Sequence, residues 1–325
     1  MAQPTLSQVH VDRILTNISV AYMQEATNFV SREVFPVVPV AKKSDLYFTY
    51  TKNDFMRDEM QRRADATESA GSGYGLSTAT YNAEVWALHK DIGDQTLANA
   101  DIPLDMHRDA TEYLTQQALL RQEIQWVSDY FTTSVWDTDR TGHASDTSGN
   151  NRIHWSDYVD STPIDNIEEG KEQILSVTGR EPNTLVLGYQ VWRQLLHHPE
   201  IVDRHKYTSG ERETQDSVAG LLGLDRILVA RSIKATNLEG ETAAYSFTHG
   251  KHALLCYVAP RPSLLTPSAG YQFMWQGVSD GLGSDVGVTR FRLERERADR
   301  VEIQIAWDNK VVATDMGYFF SGIVA

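Results

Sequence analysis

The stretch from Asp101 to Asp137 constrains the fold more than any other. Met106, Ala110, Tyr113, Leu114, Gln117, Leu120, Ile124, Val127, Phe131 and Val135 recur at steps of three and four residues, the spacing of one helical face. Leu119, Trp126 and Tyr130 widen that stripe, and neither Gly nor Pro occurs between Leu104 and Thr141. Asp101 suits an N-cap, and Pro103 suits a first turn, where its missing N–H is no loss. Asp105 falls where the helix dipole favours negative charge. The pattern predicts one amphipathic helix over 102–137, a rod of roughly 50 Å at about 1.5 Å per residue. The mean globular helix has only about 11–12 residues. Such a rod serves either as an ordinary long core helix or as a spine across a wide, thin subunit.

Residues 1–44 read as an extended arm, with a short helix expected over Val9 to Val20. In the run Val34-Phe35-Pro36-Val37-Val38-Pro39-Val40 the two prolines exclude a helix or a central strand. An apolar, extended segment has to lie on its own body or on a neighbour. Residues 45–90 read as a long two-stranded excursion. Leu46 to Thr51 and Thr78 to Leu88 are β-prone, Phe55 to Asp65 is polar and charged, and Gly71-Ser72-Gly73-Tyr74-Gly75 forms a flexible joint. An isolated hairpin is marginal in water. This one therefore either leans on an adjoining copy or is a surface insertion without a partner.

Thr138 to Asn151 reads as a loop. A helix is expected from Pro163 to Thr178, stopped by Gly179. Strands at Asn183–Gly188, Asp225–Ala230, 243–248 and 252–259 alternate with a Tyr189–His198 helix and a Val218–Leu224 helical turn, so an α/β unit runs from Pro163 to about Pro260. Pro260, Pro262 and Pro267 mark a break. Tyr271–Gln276 and Val286–Arg297 follow as strands, and Val301, Ile303, Ile305 and Trp307 alternate along another. Within Phe291 to Arg297 the mixed charges suit ion pairs inside a sheet or across a subunit contact, and the glutamates would repel phosphate.

The sequence offers little chemistry. It holds no G-x-S-x-G, H-E-x-x-H or Walker lysine. His197 and His198 diverge on a helix, and His249 with His252 lacks a third ligand nearby. The loop Gly281 to Gly287 has no following helix to hold a phosphate. Asp137/Asp139 and Glu168/Glu169 have no local base. Cys256 is the single cysteine and sits in an apolar strand, so no intrachain disulfide forms. A net charge of −14 argues against direct wrapping of nucleic acid, which needs a basic face. It fits a surface that lies near a polyanion without sticking to it. No signal peptide is apparent, and no apolar run is long enough to span a membrane.

The stretch Glu181 to Leu195, followed by His198-Pro199-Glu200-Ile201, resembles the strand-turn-helix of the axial domain in tailed-bacteriophage major capsid proteins. Phe35-Pro36-Val37-Val38-Pro39-Val40 resembles their arm motif. The order of parts resembles that family over nearly the whole chain. The resemblance implies an α+β chain with the Hong Kong 97-type capsid fold. Its parts would be an N-terminal arm (1–44), an extended β-hairpin loop (45–90), a peripheral domain with a spine helix (91–162), an α/β axial domain (163–285) and C-terminal strands returning to the peripheral domain (286–325). It implies a structural protein rather than an enzyme. Copies would self-assemble in the host cytoplasm as pentamers and hexamers into the icosahedral capsid of a virion. That shell would enclose double-stranded DNA without sequence-specific contact, and would expand as DNA enters. Scaffolding, portal and decoration proteins are the further partners implied, with no cofactor, no metal and no membrane. Inter-subunit contacts are expected at Phe35, Val37, Val38, Tyr47, Phe48, Arg57, Arg62, Arg63, Arg292, Glu294, Arg295, Glu296 and Arg297. Some relatives crosslink lysine to asparagine, but nothing marks Lys52 or Asn53 as reactive. The competing readings are an encapsulin shell around cargo enzymes and a soluble α/β enzyme.

Overall fold

A computed structural model describes residues 23–100, 105–206, 214–262, 266–278 and 286–325. The expected Val9–Val20 helix, the Asp101–Pro103 helix start and most of the Gly281–Gly287 loop lie outside the described residues. The arm region gives α1 (Ser31–Val34) and β1 (Val37–Val40), and the excursion gives β2 (Ser44–Tyr50), α2 (Lys52–Met56) and β3 (Leu76–Asn82). Next come β4 (Glu84–Gly93), α3 (Asp94–Ala98), the spine helix α4 (Met106–Tyr130), β5 (Thr138–His143) and β6 (Asn151–Ile153). The α/β unit holds α5 (Pro163–Thr178), β7 (Thr184–Gly188), α6 (Tyr189–Leu196), α7 (Pro199–Lys206), α8 (Gln215–Leu221), β8 (Arg226–Ala230), β9 (Ile233–Ala235), β10 (Tyr245–Phe247) and β11 (Ala253–Cys256). Four strands close the described chain: β12 (Gly270–Trp275), β13 (Val286–Leu293), β14 (Ala298–Val311) and β15 (Gly317–Ser321).

Two sheets carry the body. The first has the order β1-β12-β14-β13, with β4 also paired to β14. β14 is its hub: Ala298–Trp307 pairs with β4 and Trp307–Val311 reaches β12. Val301, Ile303, Ile305 and Trp307 are all buried, as their alternation predicts. β1 pairs parallel to β12 at the sheet's edge, a position where Pro39 lacks no ladder bond it needs.

The second sheet runs β6-β5-β15-β11-β7-β8. Both of its faces are covered. Leu185, Leu187, Ala253, Leu255, Tyr318 and Phe320 meet Ile164, Ile167 and Ile174 of α5. Val186, Leu254, Cys256 and Phe319 point the other way, onto Trp126, Tyr130 and Phe131 of the spine. That double burial is why these strands read as unbroken apolar runs. It also pushes the Cys256 thiol up to about 12, leaving it inert.

The spine is shorter than the periodicity predicts. Its 25 residues make a rod of roughly 38 Å. Asp105 is the N-cap, accepting from the N–H groups of His107 and Arg108 at 3.1 and 3.2 Å. The helix ends after Tyr130, because Trp136 folds back and its indole N–H donates to the Tyr130 carbonyl at 2.7 Å. Ser134 takes a left-handed φ of +66° in that return. Along the first half Met106, Ala110 and Leu114 pack on Ile92, Val301 and Ile303. Along the second half the buried positions are Gln122, Glu123, Trp126 and Tyr130, while Leu120, Ile124 and Val127 are only half-buried.

Other expectations also change. Thr138 to Asn151 is not a plain loop: β5 pairs parallel with β15 and with β6. The Thr78–Leu88 strand is broken at the fully buried Ala83, so the ribbon stops at Asn82 and β4 belongs to the first sheet. The Val286–Arg297 strand stops at Leu293, and residues 294–297 form the turn into β14. Not all C-terminal strands return to the spine's sheet, since β15 lies inside the second sheet between β11 and β5. The Pro163–Thr178 helix ends as expected on Gly179, at φ +67°.

The β7–α6 junction is tight. A Cβ on Gly188 would sit 2.1 Å from the Gly250 carbonyl oxygen, a backbone atom held by its own turn at φ +57°. Gly188→Ala is therefore expected to lower stability by about 1–3 kcal/mol in urea unfolding. An unchanged midpoint would mean that this turn yields freely.

Candidate assembly surface

The excursion is a two-stranded ribbon, with β2 and β3 paired antiparallel from Ser44↔Asn82 to Tyr50↔Leu76. Opposed residues share a face, so Tyr47, Ala79 and Tyr81 lie on one side and Leu46, Phe48, Tyr50, Thr78 and Leu76 on the other. The first side docks on the subunit's own first sheet. The Tyr81 ring stacks on Phe273 at 4.7 Å, and Tyr47 lies 5.3 Å from the same ring. The second side is open: Phe48 is 55% exposed, and Leu46 and Leu76 are exposed with it.

Beyond the ribbon the chain has still less cover. Every residue from 60 to 78 is exposed, and Met60 is 93% exposed. Tyr50, Phe55 and Tyr74 form a small aromatic cluster with centroids 5.7–5.9 Å apart. Lys52 pairs with Asp315 and fixes the ribbon's outer end to the body. Gly75 N–H donates to Asp54 at 2.7 Å and closes the neck of the tip. Gly71 and Gly73 stand free of any neighbour within 4 Å. Large apolar side chains held in water over this length have no support within the subunit.

The arm behaves differently. Phe35 is only 1% exposed, packed between Tyr130 at 4.7 Å, Trp126 at 6.0 Å and Trp136 at 6.4 Å. The ring expected between subunits thus packs inside its own core. Val37 packs with Met274 and Trp307, and Val38 with Tyr271 and Phe273, all of the same subunit.

A buried carboxylate holds this arm in place. The fully buried Glu123 accepts the N–H of Val30 at 3.2 Å and of Ser31 at 2.9 Å, one on each oxygen. Ser232 Oγ lies 3.4 Å away and His249 Nδ1 3.5 Å away. Burial pushes Glu123 above the usual carboxylate range, while the N–H groups of Ser31 and Val30 work against that shift. Burial likewise pushes His249 down to about 3, with His252 adding to the effect. Next to it Gln122 accepts from Arg32 at 2.8 Å. One turn of the spine thus satisfies the backbone of α1 and meets the loop before β11. The apolar period of the helix gives no sign of this, because the residues involved are polar.

The charged run near the C-terminus divides. Arg292 pairs with Asp94 at 2.5 and 2.6 Å and with Asp299 at 3.2 Å, so it is engaged within the subunit. Glu294, Arg295, Glu296 and Arg297 stand exposed on the β13–β14 turn. Arg57, Arg62 and Arg63 are also exposed, Arg57 reaching only Glu59 at 3.4 Å. Of the thirteen positions expected between subunits, Phe48, these three arginines and the four turn residues remain open. Leu46, Phe55, Met60 and Leu76 join them; the i, i+2 spacing of Leu46 and Phe48 was the available signal.

Among the described residues no three His, Cys, Asp or Glu side chains cluster to hold a metal ion, and no helix is long and apolar enough to cross a membrane. Glu169 is held between Arg140 and Arg152, each with a nitrogen at 3.0 Å, as a tie from β5 and β6 to α5.

No protein-family model matches the chain. Over 318 residues it is 24% identical to the major capsid protein of Burkholderia phage BcepMu, covering 96% of each. A phage-related protein from Bordetella bronchiseptica RB50 superposes with a TM-score of 0.68 at 21% identity, over 92% of this chain and 94% of that one. The capsid structure of cyanophage P-SCSP1u gives 0.62 at 11% identity, over 98% and 95%. An encapsulin from Synechococcus elongatus PCC 7942 gives 0.50 at 11%, over 99% and 96%, so the fold is common to both kinds of shell. The near end-to-end similarity to a curated major capsid protein, joined to this architecture, gives the chain the Hong Kong 97-type fold and supports a structural capsid role.

Proposed function

We propose that copies of this chain build an icosahedral shell in which each ribbon lies across an adjoining copy. The observation that carries this is the excursion, with its open Leu46–Phe48–Leu76 face and its wholly exposed 60–78 tip. Burying one such apolar side chain on a neighbour gains roughly 1.5–3 kcal/mol, and a closed shell repeats the gain at every copy. The exposed turn 294–297 and Arg57, Arg62 and Arg63 then supply polar rim contacts. Pentamers and hexamers of the same subunit require an adjustable tip, which Gly71 and Gly73 permit. The shell encloses double-stranded DNA without reading its sequence, in keeping with a net charge of −14. Scaffolding, portal and decoration proteins are its further partners, and assembly takes place in the host cytoplasm.

Expression of the chain alone and with a separate scaffolding protein, followed by electron microscopy, tests this reading. Closed shells are expected. A monomer that persists at high concentration in both cases overturns it. Shells that copurify with an enzyme instead of DNA would move the protein to the encapsulin side of the fold.

A further inference from the structure

The β9–β10 hairpin carries two complementary features that do not meet. At its base is a cleft of about 500 Å³ lined by Tyr189, Trp192, Arg193, His197, Arg231 and Phe247. The Tyr189 and Phe247 rings lie 5.7 Å apart and give it an aromatic wall. Arg193 and Arg231 are exposed, and neither forms an ion pair with a described residue. In a chain of net charge −14, two open guanidiniums beside an aromatic wall form a site for something acidic and apolar.

The tip of the same hairpin has that chemistry. Leu238 is 74% exposed, with Glu239 and Glu241 beside it. The tip is ordered by its own bonds: Leu238 N–H donates to Glu241 Oε2 at 3.2 Å, Glu241 N–H to the Leu238 carbonyl at 3.2 Å, and Ala244 N–H to Asn237 Oδ1 at 3.0 Å. Leu238 is therefore held outward. Pairing of β9 with β10, extended by Thr236 N–H donating to the Ala244 carbonyl at 2.9 Å, keeps tip and base at opposite ends of the ribbon. From Arg231 to Leu238 the chain spans roughly 20 Å at about 3.3 Å per residue, so the tip does not fold back into its own cleft.

We propose that Leu238, with Glu239 and Glu241, seats in the Arg193–Arg231 cleft of a second copy. Knob and cleft are different patches of one subunit, so the contact is head-to-tail, and repetition about an axis closes a ring. The inference rests on the shell reading above and specifies one contact within each ring.

Two experiments test it on the full chain. Leu238→Asp, or Arg193→Glu with Arg231→Glu, should raise the concentration at which shells form by about tenfold or more. Combining the latter pair with Glu239→Arg and Glu241→Arg should restore assembly. Because Cys256 is buried and is the single cysteine, Leu238→Cys with Arg193→Cys gives a clean second readout. Oxidation of its shells with diamide should produce a ladder of linked subunits in denaturing gels. Shells that form normally with Leu238→Asp, or that yield no ladder, overturn this contact while leaving the shell reading intact. A wild-type chain that never assembles overturns both.

Discussion

Replacing residues 57–73 with a short glycine linker is expected to leave a folded subunit that no longer assembles. The bonds made by side chains of this segment are local: Arg57 to Glu59, Arg63 to the Thr67 carbonyl, and Ser72 to Glu59. The docked base of the ribbon, Tyr47 and Tyr81 on Phe273, is untouched by the deletion. Subunit stability should therefore change by no more than about 0.5 kcal/mol, the range of surface changes away from packed features. Assembly should fall below detection, because the exposed tip that lacks support in the monomer is removed. Thermal unfolding followed by circular dichroism measures the first effect, and light scattering with electron microscopy the second. Phe48→Asp on the open face should act in the same direction with the chain length intact. Normal shells from either variant would place the subunit contacts elsewhere.

The largest effect within a single subunit is expected at Glu123. Glu123→Leu leaves the N–H groups of Val30 and Ser31 buried and unbonded. Each orphaned donor costs about 1–3 kcal/mol, so the loss should reach about 2–6 kcal/mol. Glu123→Gln keeps one acceptor and turns an N–H toward the other donor, so about 1–3 kcal/mol is expected there. Urea unfolding measures both. Limited proteolysis gives a second sign: residues 23–36 should become cleavable in Glu123→Leu while the second sheet stays protected. Unchanged stability with a protected arm would show that the apolar packing of Phe35 alone holds the segment.

Glu123 also shows where sequence reading failed. Periodicity finds apolar stripes, and along the first half of α4 it found the right one at Met106, Ala110 and Leu114. In the second half the buried face must supply acceptors to the backbone of α1, so Gln122 and Glu123 occupy it. Buried polar residues chosen for a partner nearly a hundred positions away leave no local trace. The helix end was invisible for a similar reason. No Gly or Pro marks it, and the Tyr130 carbonyl is satisfied by an indole from beyond the helix. By contrast α5 stops on a glycine with positive φ, β14 alternates because one face is buried, and the ribbon strands are β-prone on both sides of a polar tip. Those features are set by neighbours in sequence, so they were legible.

The two surfaces expected to need a second copy differ in how far their own subunit covers them. Both the arm run and the excursion are apolar and extended, and sequence alone does not distinguish them. Structure separates them through β12, which offers the arm an open edge at Val37↔Gln272, and through the aromatic pocket around Phe35. The excursion finds such a receptor at its base and an anchor at Lys52, which pairs with Asp315, but none along 60–78.

The place of β15 bears on how the molecule is made. It is the last strand of its sheet to leave the ribosome, yet it sits between β11 and β5 and joins β6-β5 to β11-β7-β8. Until it emerges, Leu254, Leu255 and the aromatic faces they will meet stay wet, and the half-sheets share no ladder. A nascent chain therefore completes this sheet only once synthesis has passed Ser321.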